Sequence, residues 1–347
     1  MIQSLLRQVV AGDAIPPAAL EDALHAIMQG DVDPVPVAGL LVGLATRPLE
    51  PQLLAAAARA LRAHRVAIQP NVRPLVDTCG TGGDGAGTFN ISTSAALVVA
   101  GAGAAVAKHG NRGVSSPAGS ADVLEAAGCA LQLSAPEQAR DLLDATGFAF
   151  LFAPAFHPAM AHVAPVRRAL GVRTLFNVLG PLANPALAER QLIGVYDPDL
   201  TAIMAAALQE LGSQAAWVVH CDGLDEIGLH AITHGHQLRE GRIEPLTIDP
   251  RELGLATAPI TALAGAGDAG GNAELLRRAI AGETGPRGDV VALNAAAALV
   301  VAGMAPALPE GLEMARRSMS TGRAERVLDR YVASSQRAAA AMTGAAR

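Results

Sequence analysis

The chain has 347 residues, 51% of them hydrophobic and 17% charged, with a formal net charge of −6. At roughly 150 residues per domain, the length suggests two domains, or one large α/β unit with an appendage. A mean hydropathy of +0.31 excludes a disordered, solvating chain. Net acidity and 3% aromatics argue against a generic single-strand nucleic-acid binder, which needs a basic footprint and stacking platforms.

Over the first ~70 residues, apolar spacing predicts short helices. Ile2, Leu5, Leu6 and Val9 share one face, and a break at Asp13–Pro17 precedes a stripe of Leu20, Leu24, Ile27 and Met28. Val37–Ala45 and Leu53–Leu61 continue the pattern, so a small all-α subdomain is expected. The register changes at Pro74, where Leu75-Val76-Asp77-Thr78 reads as a strand. Ser92–Val99 then reads as a helix capped by Ser or Thr, and His157–Leu170 as a further helix. Further strands are predicted at Ala104–Ala107, Ala149–Phe152, Gln191–Tyr196, Ala216–His220 and Ile243–Ile248. Ala-rich helical segments alternate with most of them, the signature of a largely parallel α/β sheet. Val290–Ala307, the longest apolar run, reads as a buried core helix rather than a membrane span, and the Ala-rich tail after Tyr331 as a fraying helix. Cys79, Cys129 and Cys221 are far apart and form no CxxC, which suits a reducing compartment without disulfides. Met1–Gly12 has no apolar signal-peptide block, so a cytoplasmic location is expected.

Chemistry concentrates where the first strand ends, in Gly80-Thr81-Gly82-Gly83-Asp84 and on through Thr88, Asn90, Ser92 and Thr93. The glycines let backbone N–H groups approach an anion, and the hydroxyl and amide donors crowd a helix N-terminus. A tight turn with a capped helix explains any two of these residues but not so many donors together, so a phosphate site is favoured. A second block, Lys108-His109-Gly110-Asn111-Arg112, follows a strand and leads to Ser115-Ser116 and Gly119-Ser120. It suits phosphate or carboxylate recognition about as well as it suits a solvated basic turn. A third, Asp222-Gly223-Leu224-Asp225-Glu226, reads as an acidic turn or a Mg²⁺ site; a polyphosphate ligand would favour the metal. Gly265–Gly270 matches GxGxxG only formally and reads as a surface loop, while His230, His234 and His236 read as surface or strand histidines.

The blocks CGTGGDGAGTFNIST, KHGNRGVSSPAGSADVLEAAG, FLFAPAFHPAM, VRRALGVRTLFNVLGPLANPA and DGLDE, in this order and spacing, resemble anthranilate phosphoribosyltransferase of tryptophan biosynthesis. That family belongs to the nucleoside phosphorylase-like class of phosphoribosyltransferases, and the similarity spans nearly the whole chain. The resemblance implies a small helical domain, residues 1–72 with about 162–185 packing into it, and homodimerisation through it. This domain is hinged to an α/β domain, 73–161 and 186–347, with a mostly parallel sheet. It implies transfer of a phosphoribosyl group from phosphoribosyl pyrophosphate to anthranilate, with no nucleic-acid or membrane partner. Gly80, Gly82, Gly83, Asp84, Thr88, Asn90, Ser92, Thr93, Lys108 and Ser120 would hold the phosphoribosyl pyrophosphate. Ser92, Asp225 and Glu226 would bind magnesium, with two ions expected. Gly80, His109, Asn111, His157 and Arg167 would face anthranilate, with Lys108 and Arg167 acting electrostatically and by position. The chain departs from the family pattern at Ala161-His162 and over 227–241. A pyrimidine nucleoside phosphorylase would carry a KHSTGG-like loop, which is absent; a non-catalytic nucleic-acid-binding paralogue would carry eroded motifs and a basic surface.

Overall fold

The computed structural model describes residues 2–113, 117–131 and 136–345, the side chains of 342–345 excepted. Four helices open the chain: α1 (Ile2–Ala11), α2 (Pro17–Gln29), α3 (Pro34–Ala45) and α4 (Pro51–Ala63). Their spacing is that expected from the apolar stripes. α2, α3 and α4 each begin on proline, whose fixed φ suits the first helical position. Leu20, Leu24, Ile27 and Met28 of α2 are buried, and α4 packs beside it with Ala55–Ala58 and Ala60 wholly enclosed.

Seven strands form one sheet: β1 (Leu75–Gly80), β2 (Ala105–Gly110), β3 (Phe148–Phe152), β4 (Arg190–Gly194), β5 (Ala215–His220), β6 (Thr233–Arg239) and β7 (Arg242–Ile248). Their order is β3-β2-β1-β4-β5-β6-β7. The first five are parallel to one another, and β6 and β7 add on antiparallel. Six strands match the expected ones; β6 does not, because THGHQLR has no apolar alternation. Side chains alternate between two cores. Leu192, Trp217 and Val219 point into the larger, built on helices Ile91–Gly101 and Pro286–Val301. Ile193, Ala216 and Val218 point into the other, shared with α1–α4 and with helix Leu200–Glu210.

The connection from β3 to β4 departs from expectation. In place of a continuous helix over His157–Leu170, Pro158 and Pro165 divide the segment into a 3₁₀ turn, Pro158–His162, and a helix, Ala164–Leu170. Val163, Val166, Phe176, Leu179 and Leu182 of this connection share the core of α1–α4. The helix expected at Ser92–Val99 spans Ile91–Gly101, but neither Ser nor Thr caps it. Asn90 occupies the cap position without a side-chain capping bond, and Ser94 Oγ donates back to its carbonyl at 2.9 Å. The C-terminal helix Arg323–Ala345 runs through a wholly buried Tyr331. Among the described residues, no helix is long and apolar enough to cross a membrane.

Candidate active site

The C-terminal ends of β1, β2, β4 and β5 share one rim, the edge where open α/β sheets bind ligands. The loop leaving β1 is fixed from both sides. Thr81 N donates to Gly194 O at 2.9 Å, and Thr81 Oγ1 accepts from Tyr196 N at 3.1 Å. Gly82 and Gly83 take φ of +67° and +77°, conformations that glycine adopts without a Cβ penalty. Asp84 serves the loop itself: one oxygen accepts from Ala86 N at 3.0 Å, the other from Asp225 N at 3.2 Å.

Asp225 sits in a cradle of missing side chains. A Cβ on Gly80 would strike its carboxylate, and one on Gly194 its backbone. Asp225 Oδ2 accepts from Gly82 N at 2.7 Å, and Glu226 Oε1 accepts from Ser92 N at 2.9 Å. The acidic turn therefore lies against both the glycine loop and the following helix. Burial, then the charges of Glu226 and Asp84, hold the Asp225 carboxyl well above the usual carboxylate range. Burial also pushes Glu226 up to about 7, although Lys108 and Ser92 pull it down. Such excess negative charge fits a cation, with Ser92 Oγ the nearby neutral oxygen. Among the described residues, no three His, Cys, Asp or Glu side chains converge as a ligand set, so substrate oxygens or water would complete the shell.

Lys108, at the end of β2, is 1% exposed and donates to Thr78 O and, at 3.3 Å, to Ser92 Oγ. Beneath it lies Asp77, wholly buried, which accepts from His109 N at 3.2 Å and Asn184 Nδ2 at 2.8 Å. Burial raises its carboxyl to about 6 against the pull of Lys108. Thr93 is buried in the first helical turn, Thr88 bridges to Ala264, and Ser120 begins helix Ser120–Ala126. Asn90 Nδ2 donates to Ala118 O at 3.3 Å, and its buried Oδ1 has no partner among the described residues. Ser115 and Ser116 lie outside the described residues. Arg112 is committed to Asp122 at 2.8 Å and Glu125 at 2.6 Å, so its guanidinium is not free for phosphate.

On the other side, His109 and His157 are buried with ring centroids 5.1 Å apart. Burial lowers them to about 3 and about 4, keeping both neutral. Asn111 is exposed, its side-chain oxygen accepting from Arg112 N at 2.8 Å. Arg167, on helix Ala164–Leu170, is half-buried, with its guanidinium 5.6 Å from the Phe176 ring centroid. It has no hydrogen-bond or ion-pair partner among the described residues, and burial lowers its pKa. Arg168 is exposed.

Three residues here escaped the sequence reading. Arg173 stacks 4.0 Å over the Tyr196 ring and donates to Gly83 O, tying the β3–β4 connection to the glycine loop. Gly194 forms half of the Asp225 cradle. Asn184 links Asp77 to Ala107 O, both at 2.8 Å. A glycine closing a strand two residues before a tyrosine was the one available signal. The formal GxGxxG at 265–270 is a loop in which Asp268 caps helix Ala269–Ile280, accepting from Gly271 N at 2.7 Å.

Residues 3–65 match the glycosyl transferase family helical bundle domain, and 72–325 match the glycosyl transferase family a/b domain. An anthranilate phosphoribosyltransferase of Symbiobacterium thermophilum is 48% identical over 330 residues, 95% of this chain and 96% of that protein. The chain belongs to the anthranilate phosphoribosyltransferase family. A crystal structure of the anthranilate phosphoribosyltransferase from Thermus thermophilus superposes with a TM-score of 0.90 at 46% identity, covering 96% of this chain and 99% of that one. The Saccharomyces cerevisiae anthranilate phosphoribosyltransferase in complex with PRPP and Mg gives 0.87 at 27% identity, covering 96% and 98%. The helical bundle and the mostly parallel α/β sheet are thus the architecture of an anthranilate phosphoribosyltransferase.

Proposed function

We infer that this chain transfers the phosphoribosyl group of phosphoribosyl pyrophosphate to the amine of anthranilate, releasing pyrophosphate, in tryptophan biosynthesis. One observation carries the inference. Asp225, Glu226 and Lys108 close around the glycine loop and the helix after it, and Arg173 ties that loop to the connection bearing Arg167.

Loss of pyrophosphate leaves oxocarbenium character at C1 of the ribose, so charge on the leaving group must be stabilised. The N–H of Gly83, the donors Asn90, Ser92, Thr93 and Ser120, and the Lys108 ammonium perform that task, with Gly82 letting the loop come close while its own N–H holds Asp225. Gly80, Asp84 and Thr88 shape the loop around them. Asp225, Glu226 and Ser92 would hold magnesium, two ions by our reading, which neutralises pyrophosphate charge when bound. Arg167 pairs with the anthranilate carboxylate; His109, Asn111 and His157 complete that half. The arylamine is neutral at pH 7, so orientation against C1 supplies much of the remaining rate.

This reading divides the molecule into a helical domain, 1–72 with about 162–185, and an α/β domain, 73–161 with 186–347. The first serves as hinge and homodimer contact in a cytoplasmic enzyme. Burial of Val163, Val166, Phe176, Leu179 and Leu182 in the core of α1–α4 supports grouping that connection with the helices, although the same core continues onto one face of the sheet. The test is anthranilate fluorescence in the purified protein. Consumption should require both phosphoribosyl pyrophosphate and Mg²⁺; no consumption with both present refutes the activity.

A further inference from the structure

The stretch Gly180–Pro185 has its carbonyls claimed almost one by one by side chains from distant parts of the chain. Gly180 O accepts from His109 Nδ1 at 3.1 Å, Pro181 O from Gln191 Nε2 at 2.7 Å, and Leu182 O from Arg62 Nε at 2.6 Å. Ala183 O accepts from His157 Nε2 at 2.9 Å and Pro185 O from Arg65 Nε at 3.2 Å. Asn184, 2% exposed, anchors the stretch through Asp77 and Ala107 O, while its own side-chain oxygen accepts from Ala186 N at 2.9 Å. Donors from α4, β2, β4 and the β3–β4 connection therefore meet on six residues.

The chemistry of those bonds fixes two protons. A carbonyl oxygen can only accept, so His109 carries its hydrogen on Nδ1 and His157 on Nε2. Each ring is neutral, which leaves His109 Nε2 and His157 Nδ1 as bare lone pairs. Both atoms are buried and neither has a partner among the described residues. Two buried acceptors left unmet in adjacent rings are costly, and they lose that cost only to a ligand presenting N–H or O–H groups.

We propose that Gly180–Pro185 is a positioning strap: held by Asn184, Arg62 and Arg65, it locks His109 and His157 in the one tautomer pair that offers two lone pairs to the N–H groups of an arylamine. The proposal rests on the acceptor chemistry inferred above, yet the lock exists without turnover and can be measured without it. Asn184, Arg62 and Arg65 are positioning residues, acting on the substrate only through the two imidazoles.

The experiment is nitrogen NMR of the full chain with ¹⁵N-labelled imidazoles. The two rings are assigned with His109→Asn and His157→Gln, which keep the anchoring donor and delete the acceptor. Ligand-free wild type should show His109 purely as the Nδ1–H form and His157 purely as Nε2–H. Anthranilate should move both bare nitrogens, whereas benzoate, which lacks the amine, should not. Asn184→Ser, and Arg62→Gln should Asn184→Ser fail to fold, should mix the tautomers. Either should raise KM for anthranilate about tenfold, leaving KM for phosphoribosyl pyrophosphate unchanged. Mixed tautomers in wild type, pure tautomers in a folded strap variant, or equal shifts or none with anthranilate and benzoate overturn the proposal. Absence of turnover with the lock intact and the amine-specific shifts present would instead count against the catalytic reading alone.

Discussion

Replacing Arg167 with alanine isolates the acceptor half of the site. The side chain is half-buried, stacks on Phe176, and has no carboxylate partner among the described residues, so its charge is free for a ligand. A charge-assisted pair contributes about 1.5–3 kcal/mol, so KM for anthranilate should rise about 10- to 150-fold. The fold should hardly notice. Loss of the ring contact costs about 0.5–1 kcal/mol, and relief of a desolvated cation offsets part of it. Arg167→Lys keeps the charge but not the planar fork and should fall between wild type and alanine. Steady-state anthranilate fluorescence gives both Michaelis constants, with Arg168→Ala as control because that side chain is exposed. Matching kinetics for the two alanine variants, or a change confined to phosphoribosyl pyrophosphate, would refute the assignment.

Asp225→Asn with Glu226→Gln should abolish turnover and, because both carboxyls are held in excess of opposing charge, raise the ligand-free melting temperature; a drop in melting temperature contradicts the electrostatics. The same shifts predict linkage. With Glu226 raised to about 7, the pair retains a proton near pH 6.5 that an arriving cation must expel. Mg²⁺ affinity should therefore strengthen as pH rises through 7. Calorimetry in two buffers of different ionisation heat should show proton release on Mg²⁺ binding at pH 6.5 that shrinks as pH rises. Gly194→Ala places a methyl against the Asp225 backbone, so activity should fall by at least a hundredfold while circular dichroism keeps the α/β signature; an active variant means the cradle is not needed.

The elements read best where one period governed a segment. α1–α4 and the parallel strands carried clear apolar spacing, and the loop from Gly80 to Thr93 suggested an anion site through its composition alone. β6 was hidden because its sheet contact depends on Gly235, whose missing Cβ admits Val218 O, and not on an apolar alternation. The helix expected over His157–Leu170 failed on two prolines whose breaking effect the apolar pattern outweighed. Arg173, Asn184 and Gly194 were illegible for one shared reason. Each acts through a neighbour separated by many residues in the chain, and no local pattern records such a meeting. Arg112 shows the converse, a cation whose local setting suggested phosphate but whose carboxylate partners ten and thirteen residues on had already claimed it.

The placement of β1 between β2 and β4 also shapes how such a molecule can diversify. Most groups assigned to the leaving pyrophosphate come from the turns after β1 and β2, whereas Arg167 and His157 arrive on the single excursion from edge strand β3 to interior strand β4. On the proposed assignment the acceptor half is therefore composite: Arg167 and His157 come from that excursion, whereas His109 and Asn111 come from β2 and the turn after it, beside Lys108. An enzyme laid out this way can vary the part of its acceptor site carried by residues 153–189 without touching the glycine loop, but any change at His109 or Asn111 is made next to the groups that hold the leaving pyrophosphate.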